Sequence, residues 1–133
     1  MNDLQQLTYQ GKPFIGIAYF ISYKTGQILS EDSYYNGLTW GFRRGWHKNG
    51  NLEYERPAEN GGDVGLCRIW HGNGVLKKEY SEEESVRIWE KEWNKRGELI
   101  RDWTLQEDES NPSYGRLLQR RNMPEYYRAQ GWI

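Results

Sequence analysis

Glycines stand at positions 26, 50, 74 and 97, separated by 24, 24 and 23 residues, and their surroundings recur with them. Four residues before each glycine lie Ser22, Trp46, Trp70 and Trp93, followed by Tyr23, His47, His71 and Asn94. Two residues after it lie Ile28, Leu52, Leu76 and Leu99, and five after it Glu31, Glu55, Glu79 and Asp102. The first unit departs from the others by placing its aromatic one position later, at Tyr23. Self-similarity at such a period marks a supersecondary unit too small to bury its own apolar face, so neighbouring units must stack. That constraint excludes a fold built around one deep core.

Each unit reads as a β-hairpin. WGFRRGWH and NLEYE flank KNG, where Asn49-Gly50 offers the positive φ angles of a tight turn; HGNG, NKRG and YKTG repeat that chemistry. Two registers compete. A two-residue turn sets Arg44 opposite Glu55, Arg68 opposite Glu79 and Lys91 opposite Asp102, each pair contributing up to ~1 kcal/mol. A three-residue turn with a bulged glycine sets Trp46, Trp70 and Trp93 opposite Leu52, Leu76 and Leu99. Burying leucine against indole is worth about 1.5–3 kcal/mol, which favours the second register. The expected fold is all-β: about four hairpins over residues 14–104 forming one twisted antiparallel meander of about eight strands. LTYQGKPF adds a ninth strand or a capping segment. Residues 105–133 form a C-terminal cap in the same single domain, in which Leu117, Leu118 and Arg121 fit a short helix and Pro124 opens a second. A tail of that kind covers the last strand or an aromatic face.

Composition fits a thin structure. Mean hydropathy is −1.02, yet the chain holds seven Trp and ten Tyr, whose flat rings cover a sheet without an aliphatic interior. A net charge of −1 gives no field calling for nucleic acid or an anionic membrane. Cys67 is the sole cysteine, so no internal disulfide forms, a reducing compartment is expected, and no activating base accompanies the thiol. The start lacks the pattern of a signal peptide, and no apolar run approaches the ~18 residues of a membrane span. A cytoplasmic, soluble protein is expected.

The stretch GLCRIWHGNGVLKKEYSEEE, residues 65–84, resembles the MORN-type repeat (membrane occupation and recognition nexus) in its bacterial variant. GWHKNGNLEYER at 45–56 matches nearly as well, EWNKRGELIRDW at 92–103 less well because Arg96 replaces the usual Asn, and SYKTGQILSED at 22–32 least. Bacterial proteins of this look are often antitoxins of the YwqK type or immunity proteins beside polymorphic toxins. Eukaryotic members are scaffolds, some with lipid contacts. The resemblance therefore implies an immunity protein whose partner is a cognate protein toxin, with a scaffold or lipid-associated protein as the alternative and self-association as a further partner class. Such motifs specify fold better than function, since the shared residues build the hairpin.

The residues themselves offer little chemistry. His47 and His71 occupy equivalent positions two strands apart, about 9–10 Å, too far to share a zinc without a third ligand between them. Glu31, Glu55, Glu79 and Asp102 are too widely spaced for a close carboxylate pair, although the separation used by inverting glycosidases stays open, leaving a glycan-active hydrolase as a remote alternative. No catalytic residue, metal site or cofactor is expected. SEEES (81–85) and QEDES (106–110) read as acidic loops able to steer a basic partner. The tail adds Arg116, Arg120, Arg121, Tyr126, Tyr127 and Trp132, residue types enriched at protein-binding hot spots. Together with Tyr34, Tyr35, Trp40, Glu82, Glu83 and Glu84, these are the expected partner contacts, and no nucleic acid or membrane is expected.

Overall fold

The computed structural model describes residues 6–123. Eight main strands follow one another across a single antiparallel sheet: β3 (Gly16–Ile21), β4 (Ile28–Tyr35), β5 (Leu38–Trp46), β6 (Leu52–Glu59), β8 (Gly65–Trp70), β9 (Leu76–Glu83), β10 (Val86–Trp93) and β11 (Leu99–Thr104). A short strand β7 (Gly62–Asp63) pairs with β6 and leads into β8 through Val64. The meander is the expected all-β hairpin array. LTYQGKPF does not join the sheet. It folds as a separate hairpin, β1 (Thr8–Tyr9) and β2 (Lys12–Pro13), whose neighbour Leu7 donates its N–H to Gly37 O at 2.7 Å and so ties it to the turn between β4 and β5. One helix, α1 (Pro112–Arg121), follows; the expected helix at Pro124 lies outside the described residues.

Three of the repeated glycines, Gly50, Gly74 and Gly97, end their hairpins by one construction. His47 N–H donates to Asn51 O at 2.8 Å, Gly50 N–H donates to His47 O at 2.9 Å, and Gly50 takes φ +90°. This is a three-residue turn closed by a left-handed glycine. Asn49 does not share the positive φ; its Oδ1 instead accepts from Asn51 N–H at 2.9 Å. Beyond the turn Trp46 faces Leu52, the register then shifts, and Arg44 faces Glu55. Glu53 is the extra residue of a bulge. The same shift follows Trp70–Leu76 and Trp93–Leu99. The two registers that the sequence sets in competition therefore coexist: a bulge lets each hairpin keep both its Trp–Leu contact and its charge pair. The first unit departs in the opposite sense to that expected. Its loop is a residue longer, so Ile21 fills the tryptophan position opposite Ile28, while Tyr23 is 92% exposed.

At the other edge, two-residue turns join successive units. Asn36-Gly37 (φ 52°, 77°), Asn60-Gly61 (50°, 88°) and Glu84-Ser85 (50°, 62°) hold both central residues in the left-handed region, which matches the twist of the flanking strands. SEEES is therefore not a loop. Its first three residues finish β9 and its last two form the turn.

Units are tied by side chains. His47 Nε2 donates to Trp70 O and His71 Nε2 to Trp93 O, each at 2.9 Å. A carbonyl partner requires the protonated nitrogen there. Asn49 Nδ2 reaches Gly72 O at 2.7 Å and Asn73 Nδ2 reaches Lys95 O at 2.9 Å. The histidines are thus rungs between neighbouring turns.

The core is thin. On one face, broad side chains lie flat over small ones: Ala58, Cys67 and Tyr80 are buried, and Gly45 lies beneath the Tyr54 ring. Arg56 and Arg87 stack over Tyr54 and Tyr80, with guanidinium carbons 4.8 and 3.7 Å from the ring centroids. A second cluster closes the last strands: Leu117 of α1 packs with Val86 and Leu105, flanked by Ile88, Trp103 and Tyr114. The helix begins where Asn111 Oδ1 accepts from Ser113 N–H with Pro112 in the first turn, and it ends with Arg120 and Arg121 at its negative pole. Burying Leu117 contributes roughly 1.5–3 kcal/mol.

Candidate binding surface

Strand alternation and register put one row of charges across the sheet face opposite the stacked tyrosines. Glu31 pairs with Arg44, Arg44 with Glu55, Glu55 with Arg68, Arg68 with Glu79, Glu79 with Lys91, and Lys91 with Asp102. The signs alternate without a break. Arg44 Nε donates to Glu55 at 2.9 Å and its Nη1 to Glu31 at 3.4 Å, and Arg68 Nε donates to Glu79 at 2.9 Å. The hydrogen bond to Glu55 raises the Arg44 guanidinium further above its ordinary range, against the effect of burial. Three of the four repeated carboxylates, Glu31, Glu55 and Glu79, are thus engaged by arginines.

This face also exposes apolar groups beside the charges. Ile17, Tyr19 and Ile21 of β3 lie on it at 50%, 51% and 53% exposure, with Phe42 at 44% and Leu66 at 39%. The Arg44 guanidinium sits 4.4 Å from the Phe42 ring centroid. Among the described residues the helix α1 meets the sheet only at its last strands, away from Phe42 and Leu66.

The tyrosine face carries a network that the repeat pattern did not reveal. Arg43 and Arg56 stand directly opposite one another, which is repulsive alone. Asp63 reaches both, at 4.0 and 3.5 Å, and Asp32 reaches Arg43 at 3.7 Å. Tyr80 Oη donates to Asp63 at 3.0 Å; burial, then the Asp63 charge, pushes this phenol well above its ordinary range. Beneath it, burial above all pushes the Cys67 thiol up to about 11. Burial alone would also raise the Glu90 carboxyl, but Arg101 at 2.6 Å, Lys78 at 3.4 Å and Arg87 at 2.7 Å outweigh it and hold the group below its usual value. Asp63 enters from β7, outside the repeat, which is why periodicity cannot find it. Among the described residues no group of three or more histidine, cysteine or acidic side chains is placed to hold a metal ion.

The expected partner contacts separate into distinct places. Tyr35 and Trp40 are exposed and meet edge to face at 6.2 Å. Tyr34 is not an exposed aromatic: it is half-buried, its ring lies 5.8 Å from that of Phe14, and burial followed by Asp32 raises its phenol despite Arg43. Glu82 pairs with Arg87 at 2.8 Å. Glu83 receives both Nε and an Nη of Arg121, each at 2.7 Å, and Arg120 donates to the Glu84 carbonyl. The acidic run and the basic tail thus clasp one another. Arg116 donates to Ser113 Oγ at 3.2 Å. Tyr126, Tyr127 and Trp132 lie outside the described residues.

Comparison of the chain with protein families, curated proteins and solved structures finds no match. Among the described residues no helix is long and apolar enough to cross a membrane.

Proposed function

We propose that this chain is an immunity or antitoxin protein of the bacterial MORN-repeat type, which neutralises a cognate toxin by covering its working surface. The observation that supports this reading is the ladder face, where an alternating row of Glu31, Arg44, Glu55, Arg68, Glu79, Lys91 and Asp102 runs beside exposed Phe42 and Leu66. Such a face offers area from the apolar groups and orientation from the charges. A partner carrying the complementary row docks in few registers, because a slip of one strand opposes like charges. Glu31, Glu55 and Glu79 already hold arginine partners, so docking over them exchanges ion pairs without burying a lone charge.

The test is co-expression with the product of the neighbouring reading frame. The chain is expected to bind that product and restore growth, and a Phe42→Asp, Leu66→Asp variant with an unchanged circular dichroism spectrum is expected to lose both properties. A wild-type chain that binds no neighbouring product ends the inhibitor reading. A variant that still protects moves the contact away from this face.

A further inference from the structure

The two edges of the sheet are unlike. The outer edge of β11 carries Arg101 and Asp102 and is followed by α1, which packs on the last strands. Charged side chains on an edge and a covering element are the usual protections against further strand pairing. Among the described residues the outer edge of β3 has neither. From Phe14 to Tyr23 the chain contains no charged residue. Ile15, Phe20 and Tyr23 are 67%, 66% and 92% exposed, in addition to Ile17, Tyr19 and Ile21. Ser22 bonds inward through its N–H to Gln27 O and its carbonyl to Gly26 N, both at 2.8 Å. Alternation then turns the backbone N–H and C=O groups of Ile17, Tyr19 and Ile21 outward, and no strand among the described residues pairs with them.

We propose that this edge binds a second copy of the same chain, β3 against β3 in antiparallel pairing about a two-fold axis through Tyr19. The sequence is self-complementary in that register. On the ladder face Ile17 meets the second copy's Ile21, and Tyr19 meets Tyr19. On the other face Ala18, the smallest side chain of the strand, meets Phe20, the largest ring there. No like charges oppose one another, and the outward groups of three residues per copy satisfy about six backbone hydrogen bonds. Since Tyr19 pairs with Glu31 within the chain, the two charge rows join through the central tyrosines into one face. Covering both strips removes on the order of 800 Å², below the ~1,200 Å² where standard stable interfaces begin, so the dimer is a weak one with Kd in roughly the 10–100 μM range.

The experiment needs only this chain, so its outcome is independent of the inhibitor role. Sedimentation equilibrium from about 1 to about 500 μM brackets the expected Kd, and mass should rise from monomer to dimer across it. Ile17→Lys, with unchanged circular dichroism, should remain monomeric throughout. Register is read by oxidation of single cysteine variants, with Cys67 buried and out of reach. Tyr19→Cys places its Cα atoms about 5.5 Å apart across the axis, within disulfide range. Tyr23→Cys, although more exposed, places them about 27 Å apart. Cross-linking of Tyr19→Cys alone supports the proposal. A wild-type chain that stays monomeric at every concentration, or cross-linking of Tyr23→Cys as readily as Tyr19→Cys, overturns it.

Discussion

Substituting Gly45 by alanine tests whether flat tyrosines over small residues hold this single-layer sheet together. Gly45 is buried, and its φ lies outside the left-handed region, so the backbone accepts alanine. Alone, the change should even help, because glycine in a strand costs about 0.5–1 kcal/mol relative to alanine. The side-chain space gives the opposite sign. A Cβ there would lie 2.3 Å from Tyr54 Cε1 and 2.6 Å from Cζ. Relieving that requires the ring to lift by more than about 1 Å, which costs roughly 1–3 kcal/mol as overpacking. It also disturbs the Arg56 stack, worth about 0.5–1 kcal/mol. The net expectation is destabilisation by about 1–2 kcal/mol, read by urea unfolding through tryptophan fluorescence. The decisive measurement is the cycle with Tyr54→Ala. In that background Gly45→Ala should be neutral or stabilising by up to ~1 kcal/mol, a coupling of about 1–3 kcal/mol. If Gly45→Ala costs the same with and without the ring, the tyrosine is not what excludes a side chain, and this account of the core is wrong.

Two further expectations concern pH. The Cys67 thiol is raised in the folded chain to about 11, so the stability tied to its neutral form is complete below the ordinary thiol value and is lost as pH rises through the folded one. Tyr80, also raised, adds loss of the same sign. Cys67→Ala should therefore lessen the decline in urea midpoint above about pH 9, and an equal decline in both proteins would refute the assignment. Glu90 is depressed, so its contribution is present at neutral pH and disappears as pH falls through its folded value. Glu90→Gln leaves Arg87, Arg101 and Lys78 facing an uncharged amide and should cost about 2–4 kcal/mol at pH 7, with the gap narrowing in acid. A pH-independent gap would mean the loss is one of packing and not of charge.

The hairpin array was legible because the last three of its four units obey the same local rules. The glycine turn, the Trp–Leu pair and the cross-strand charges each leave a mark at a fixed offset. What periodicity cannot show is a one-residue irregularity, since a bulge changes register without changing the period. Glu53 and Lys77 look like ordinary strand residues, and so two pairings that coexist read as rivals. The first loop misled in the same way: alignment on Gly26 makes Tyr23 the stand-in for tryptophan, whereas the loop had lengthened and Ile21 took the place. The tyrosine-face network was hidden for another reason. Arg43, Cys67 and Glu90 are equivalent by spacing yet chemically unrelated, because each repeat fills that face differently. The acidic run at 81–85 looked free because a sequence does not show what a later helix brings against it.

That helix explains the one join that abandons its sequence rule. Successive units meet at Asn36-Gly37 and Asn60-Gly61, residues suited to positive φ, and then at Glu84-Ser85, which are not. Holding two such residues left-handed costs of order 1–2 kcal/mol each. Local preference and global fold conflict there, and conflicts of this kind persist where other contacts offset them. The offset is at hand: Arg120 donates to the Glu84 carbonyl, Arg121 grips the Glu83 carboxylate with two bonds of 2.7 Å, and Leu117 is buried against Val86 immediately after the turn. The strained turn and the helix therefore stabilise each other as one unit. The array gains a direction from this. Its last repeat is closed by side chains that depart from the repeat, while its first ends in β3, where uncharged residues and outward backbone groups leave the sheet able to grow.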